Sequence, residues 1–160
     1  MREVGSASPV PAGRPSSAGR QSRAAGLPSV QDALPEQRTS TRRILVVDDT
    51  HLLCEGLIRL LRHARFEGVA ANSAAQALRL IERQHFDLVI TDVQMPGLSG
   101  ADLTEELGKT HPDLKCIVIT GYATKPLIAR LTAARNVVDI LTKPLDTNRL
   151  ITRIRSLVEG

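Results

Sequence analysis

Between Ile44 and Val158 the chain alternates a short apolar run with a stretch of helical periodicity five times, and few folds accept that pattern. "ILVV" (44–47) is continuous and β-branched, as a strand buried on both faces requires. Leu53, Leu57, Leu60, Leu61 and Ala64 then recur on one helix face. "GVAA" (68–71) is a weaker second strand. Ser73, with Gln76 three residues on, makes a capping box for a helix that turns Ala74, Ala77, Leu78 and Ile81 inward. "FDLVIT" (86–91) is the third strand, and the turn-rich "MPGLSG" (95–100) leads to a weak helix through Leu103 and Leu107. "CIVIT" (116–120) is the fourth. A helix from about Thr124 carries Leu127, Leu131 and Ala134, with Asn136 as a left-handed C-cap. "VVDIL" (137–141) is the fifth strand, and Asp146 caps a last helix facing Leu150, Ile154, Leu157 and Val158 inward. Strands that alternate with helices through short loops form right-handed crossovers. The expected fold is therefore α/β, a doubly wound five-stranded parallel sheet covered on both faces.

Residues 1–42 have another texture. They are rich in Pro, Gly, Ser, Ala and Arg and nearly devoid of large apolar side chains, so they cannot bury enough to offset their ordering entropy. This segment is expected to be a disordered tail ahead of one domain over 43–160. Charge divides the same way. Residues 1–43 hold seven Arg against Glu3, Asp32 and Glu36, a net +4, whereas residues 44–160 hold fourteen basic and fourteen acidic side chains and balance. The folded part thus has no overall basic field to recommend nucleic acid as a partner. No apolar run is long enough to cross a bilayer. Cys54 and Cys116 both sit inside apolar patterns and read as reduced core thiols of a cytoplasmic protein.

In open parallel sheets, sites lie beyond the carboxyl ends of the strands. Here the first strand runs into Asp48 and Asp49, the third ends at Asp92, the fourth at Thr120, and the fifth runs into Lys143-Pro144. If the first, third, fourth and fifth strands are central, these side chains meet at one edge. Two carboxylates 4 Å apart repel by ~4 kcal/mol at an effective dielectric of 20. Three carboxylates with room for water suit a hard cation, and Mg²⁺ is the ion this set selects. An Asp beside Mg²⁺ and a Lys can attack phosphorus and form an aspartyl-phosphate. The four histidines, His51, His63, His85 and His111, show no mutual ligand spacing.

"VVDD", "DLVITDVQMPGLSG", "IVITGYA" and "LTKPLD", in that order at the ends of the expected strands, resemble the response-regulator receiver domain of two-component signalling. The resemblance covers residues 43–158 and implies a flavodoxin-like domain with βα repeated five times. It implies that Asp92 is the phosphoacceptor. Asp49 would bind Mg²⁺ directly, Asp48 largely through water, and the backbone carbonyl of Gln94 would complete the protein ligands. Thr120 would move toward the phosphoryl group and Lys143 would bond to it. The Lys143–Pro144 bond would be cis, whereas Lys125-Pro126, which follows no strand, is a decoy. The implied donor is a histidine kinase or phosphotransfer protein, and the only reactions catalysed are the chain's own phosphorylation and dephosphorylation.

Three positions depart from the family pattern. Ile140 stands where receivers usually carry Tyr or Phe, and Asn136-Val137 replaces the usual Gly-Ala. Bulky Tyr122, two residues after Thr120, is expected to slow attack by water, and small Gly121 to leave the phosphoryl group room. The chain stops at Gly160, so the expectation is a free-standing receiver, a relay intermediate or a phosphate sink. Its output would be a contact with a protein effector through the fourth helix, fifth strand and fifth helix. Three rivals remain: a receiver-fold binding module indifferent to phosphorylation, a hydrolase passing through an aspartyl-phosphate, and a DNA-binding regulator using the basic tail. The hydrolase lacks a substrate-covering cap, and the regulator lacks a helix-turn-helix.

Overall fold

The computed structural model describes residues 40–160; the expectation of a disordered tail lies almost wholly outside them. Five strands and five helices alternate: β1 (Arg43–Val47), α1 (His51–His63), β2 (Glu67–Ala71), α2 (Ala74–Arg83), β3 (Leu88–Asp92), α3 (Gly100–Thr110), β4 (Lys115–Thr120), α4 (Lys125–Ala133), β5 (Val137–Thr142) and α5 (Thr147–Val158). The strands form one parallel sheet in the order β2-β1-β3-β4-β5. This is the doubly wound parallel sheet expected from the alternation, with the flavodoxin-like arrangement that the resemblance implies. β5 is an edge strand, not a central one, yet its pairing of Thr142 with Thr120 still carries Lys143 to the end of β4. The order reverses between β1 and β3, which opens a crevice where those two strands end.

Period-two alternation divides the core. Ile44, Val46, Ile90, Ile117 and Ile119 face α1 and α5, meeting Cys54, Leu61, Leu150 and Ile154. Leu45, Val47, Val89 and Cys116 face the other layer, meeting Ala74 and Ala77 of α2 and Leu103 and Leu107 of α3. Val93, Ala101, Val118 and Leu131 form a smaller cluster under α4, with Ile140 packed against it. The central strands β1, β3 and β4 are covered on both faces and carry near-continuous apolar runs, whereas the edge strands β2 and β5 are only partly buried.

Side-chain caps set most helix starts. Ser73 Oγ accepts the Gln76 N–H at 3.0 Å, while Gln76 Oε1 reaches past Ser73 to the Asn72 N–H at 2.7 Å. Thr124 and Asp146 cap α4 and α5. Ser99 and Asp102 form a reciprocal box at α3 that the sequence reading passed over.

Three local expectations need correction. Asn136 is not a left-handed cap: it is 2% exposed, its Nδ2 donates to the Thr104 carbonyl at 3.0 Å, and its own carbonyl accepts from Cys116 N–H at 2.7 Å. Among the described residues the positive φ of a non-glycine residue falls instead at Arg65, at 71°. There the Arg65 N–H reaches the Arg62 carbonyl and the Phe66 N–H the Leu61 carbonyl, which closes α1. β3 begins at Leu88, not Phe86, because the Asp87 carboxylate turns to accept the Arg43 N–H at 2.8 Å. Finally, Leu53 lies on the exposed rim of α1, and Cys54 takes the inward place.

Candidate functional site

β1 delivers Val47 into the core and then stops, leaving the acids at the crevice. The Asp48 N–H still pairs with the Ala71 carbonyl at 3.1 Å, so this residue is fixed by the sheet. Its Oδ1 accepts the Thr50 N–H at 2.9 Å, where α1 begins. Asp48 is thus both a site residue and the acceptor for the backbone N–H of Thr50, the residue that precedes α1 and whose own side chain makes no cap. Asp49 is exposed beside it. Asp92, the last residue of β3, is 7% exposed. Carboxylate oxygens of Asp48, Asp49 and Asp92 all lie within 4.8 Å of one another.

Lys143 Nζ lies 3.1 Å from Asp92 Oδ2, and the Lys143–Pro144 bond before α5 is cis. The other Asp92 oxygen faces the Gln94 N–H at 3.4 Å. Thr120 is buried at the end of β4, and its hydroxyl accepts the Tyr122 N–H at 3.1 Å. The Tyr122 side chain is 72% exposed on the following loop.

Burial raises the Asp48 carboxyl above its ordinary value, and the charges of Asp92 and Asp49 push the same way; the Thr50 N–H and Lys143 oppose them. The ionised acids therefore carry negative charge that one lysine does not fully offset. All-oxygen donors with surplus charge fit a small hard cation, and Mg²⁺ matches them. Below the acids, Cys54 Sγ lies 3.3 Å from the Asp48 carbonyl. Burial and then the Asp48 charge push its thiol up to about 11, while burial holds Cys116 at about 12. Both are free thiols with core roles.

The site extends below the acids to Gly100, the first residue of α3. A Cβ there would land on the Asp92 carbonyl oxygen, and the Gly100 N–H donates to the Val93 carbonyl at 3.0 Å. Glycine lets α3 start directly against the end of β3. Sequence reading treated "GLSG" as a turn signal and did not assign this glycine to the site. Gly97, at φ 78°, is the turn glycine of that loop.

A groove of about 520 Å³ opens beside Asp48 and Lys143. Its apolar walls come from Leu52, Leu53 and Leu57 of α1 and from Pro144 and Leu145 before α5. Leu52 is 75% exposed there. Sequence periodicity missed the groove because it assigned Leu53 to the core. Of the histidines, His51, His63 and His85 are exposed and His111 is half-buried. Among the described residues the acid trio is the one group that could hold a metal, and no helix is long and apolar enough to cross a membrane.

A doubly wound sheet with clustered acids and a lysine at its switch point defines a class of α/β domains whose sites lie beyond the carboxyl ends of the strands. The comparisons narrow that class: the chain belongs to the response regulator receiver domain family, which matches residues 44–155. It is similar to the CAI-1 autoinducer sensor kinase/phosphatase CqsS of Vibrio cholerae, 30% identical over 80% of this chain and 19% of that one. A CheY-like receiver domain protein of Methanospirillum hungatei shares 28% identity at a TM-score of 0.71, over 74% of this chain and 94% of that one. The response regulator TrrA of Thermotoga maritima, solved with Mg(2+)-BeF, shares 31% identity at a TM-score of 0.67, over 73% of this chain and 99% of that one. The chain spans about half or less of the length of the curated relatives it matches first.

Proposed function

We propose that this chain is a phosphorylation-dependent signalling switch in which Asp92 accepts a phosphoryl group from a histidine kinase or phosphotransfer protein. The observation that carries the reading is the contact of Lys143 Nζ with Asp92 Oδ2, 3.1 Å, inside the acid cluster. One Asp92 oxygen attacks phosphorus, the O–P bond forms, and the P–N bond to the donor imidazole breaks. Lys143 neutralises charge on the transferring group, and Thr120 donates its hydroxyl to a phosphoryl oxygen. Asp48, Asp49, Asp92 and the Gln94 carbonyl would hold Mg²⁺, which when bound supplies the positive charge this transfer requires. The TrrA neighbour, solved with Mg(2+)-BeF, supports the same ion.

A protein donor fits the surroundings. The apolar groove beside Asp48 and Lys143 offers a docking face next to the reacting carboxylate. The product adds charge and acceptor oxygens at a buried strand end and biases a two-state equilibrium. Output is a contact with a protein effector on the α4, β5 and α5 side. Buried reduced thiols suit the cytoplasm.

Incubation with a phosphotransfer protein labelled on its histidine tests the reading: label moves to the wild type and not to Asp92→Asn. A second reading, a binding module indifferent to phosphorylation, draws on Ile140, which packs beneath α4 without a ring. Effector binding that is unchanged by Asp92→Asn would select it.

A further inference from the structure

Helix α4 has the fewest buried residues of the five helices, one against two in α1 and in α2. It buries one side chain, Leu131, where α3 buries five residues and α5 three. Leu127 is half-buried beside it against the cluster of Val93, Ala101 and Val118, and the rest of its hold on α3 is ionic. Arg130 Nε and Nη2 donate to the two Glu105 oxygens at 2.5 and 2.9 Å, and Nη2 also donates to Asp102 Oδ1 at 2.6 Å. An exposed pair contributes little, but a guanidinium gripped in fork geometry by two carboxylates is the case in which such contacts matter. The Arg130 hydrogen bond, with help from Ser99, holds the Asp102 carboxyl down at about 2, and the same arginine lowers Glu105.

Asp102 connects this contact to the phosphorylation site. Its second oxygen accepts the Ser99 N–H at 2.8 Å and the Ser99 hydroxyl at 3.0 Å. Ser99 sets the start of α3, where Gly100 lies against the Asp92 carbonyl. At its other end, α4 is entered from the loop that the Thr120 hydroxyl holds through the Tyr122 N–H. A Thr120 side chain that rotates toward a phosphoryl group on Asp92 releases that loop. Movement of α4 is then opposed by Arg130, by buried Leu131 and by half-buried Leu127.

We propose that Arg130 is an ionic latch, closing α4 onto Asp102 and Glu105 in the unphosphorylated state and thereby setting how readily Asp92 is phosphorylated. The proposal deepens the proposed function and rests on it. A contact made in the closed state alone lowers the population of the open state by its own free energy, so with the open state as the reactive one, opening the latch raises the phosphorylation rate in proportion. Arg130 is a positioning residue, remote from the reacting atoms.

The test uses the full chain, Mg²⁺ and acetyl phosphate, with the initial rate of mass gain as readout. Arg130→Gln is expected to react about fivefold faster, equivalent to ~1 kcal/mol at 1.4 kcal/mol per decade. Glu105→Gln moves the rate the same way, the double variant adds less than the sum, and Arg130→Lys lies between wild type and Arg130→Gln. Amide exchange in the unmodified protein is expected to quicken across Lys125–Ala133 in Arg130→Gln and to stay unchanged in α5. An unchanged or slower rate, strictly additive effects, or unaltered exchange in α4 overturns the latch. A wild type that gains no mass overturns the proposed function and the latch together, an outcome distinct from labelling that ignores Arg130.

Discussion

Replacing Gly100 with alanine inverts the usual effect of that substitution. At a helix position with an ordinary backbone, Gly→Ala stabilises by ~0.4–1 kcal/mol, chiefly by restricting the unfolded chain. Gly100 has no positive φ, so strain is not its reason. Its added Cβ would fall on the Asp92 carbonyl oxygen, 2.8 Å from that carbonyl's carbon and 3.0 Å from Thr91 Oγ1. These atoms belong to the buried end of β3 and are not the far ends of flexible side chains. Either α3 or the strand end must shift, which strains the Gly100 N–H bond to the Val93 carbonyl. Overpacking costs ~1–3 kcal/mol and a weakened hydrogen bond ~1 kcal/mol more, so the net destabilisation is about 2–3 kcal/mol. At about 4 °C per kcal/mol for a domain of this size, Tm falls by ~10 °C. Gly56 is the control: nothing lies within 4 Å of its added Cβ in the middle of α1, and Gly56→Ala should raise stability by ~0.5–1 kcal/mol. Thermal unfolding followed by circular dichroism separates the two. A Gly100→Ala protein as stable as wild type would refute the argument that α3 starts in direct contact with Asp92.

Other consequences can be measured on the same preparations. Asp48→Asn keeps the acceptor for the Thr50 N–H and removes a charge that the fold disfavours, so without Mg²⁺ at neutral pH the variant unfolds at a higher temperature. The folded value of Asp48 is raised, so wild-type stability is lost as pH rises through that value; the variant's advantage shrinks as pH falls, and an advantage that grows in acid would contradict this. Mg²⁺ should stabilise wild type and leave Asp48→Asn less affected. Arg153 Nε pairs with Asp139 at 3.0 Å and its Nη2 takes the Val138 carbonyl at 3.1 Å, while Asp139 Oδ1 accepts the Ile140 N–H at 2.8 Å. This pair seals the free edge of β5, so Arg153→Ala should self-associate in sedimentation experiments, and a strictly monomeric variant would count against it. Tyr122→Ala is expected to shorten the lifetime of the aspartyl-phosphate; an equal or longer lifetime sinks the idea that the ring impedes water.

What the sequence disclosed follows from where information is local. Continuous apolar runs such as Ile44–Val47 are read without ambiguity, because burial on both faces leaves no polar option. The acids follow directly, since in-order strand ends in a parallel sheet converge whatever the details. Strand order is not local, which is why β5 was placed centrally although it lies at an edge. Asn136 misled because asparagine suits both a left-handed cap and a buried hydrogen bond, and only packing against Thr104 decides between them. Arg65 carries no signal, since its positive φ is imposed by the closure of α1 onto Phe66. Ser99 and Asp102 did carry one, a Ser-x-x-Asp spacing, but aspartate is a less familiar partner in that box than glutamate. Arg130 and Glu105 stand 25 residues apart on separate helices, and nothing in either segment announces the other.

The central claim is that Asp92 takes a phosphoryl group in a pocket made for Mg²⁺. Intact mass after incubation with acetyl phosphate and Mg²⁺, beside Asp92→Asn, tests it most directly. The account predicts a gain of one phosphoryl group that requires Mg²⁺ and is absent from the variant. A folded wild type that gains nothing, or a variant that gains as much, would contradict it.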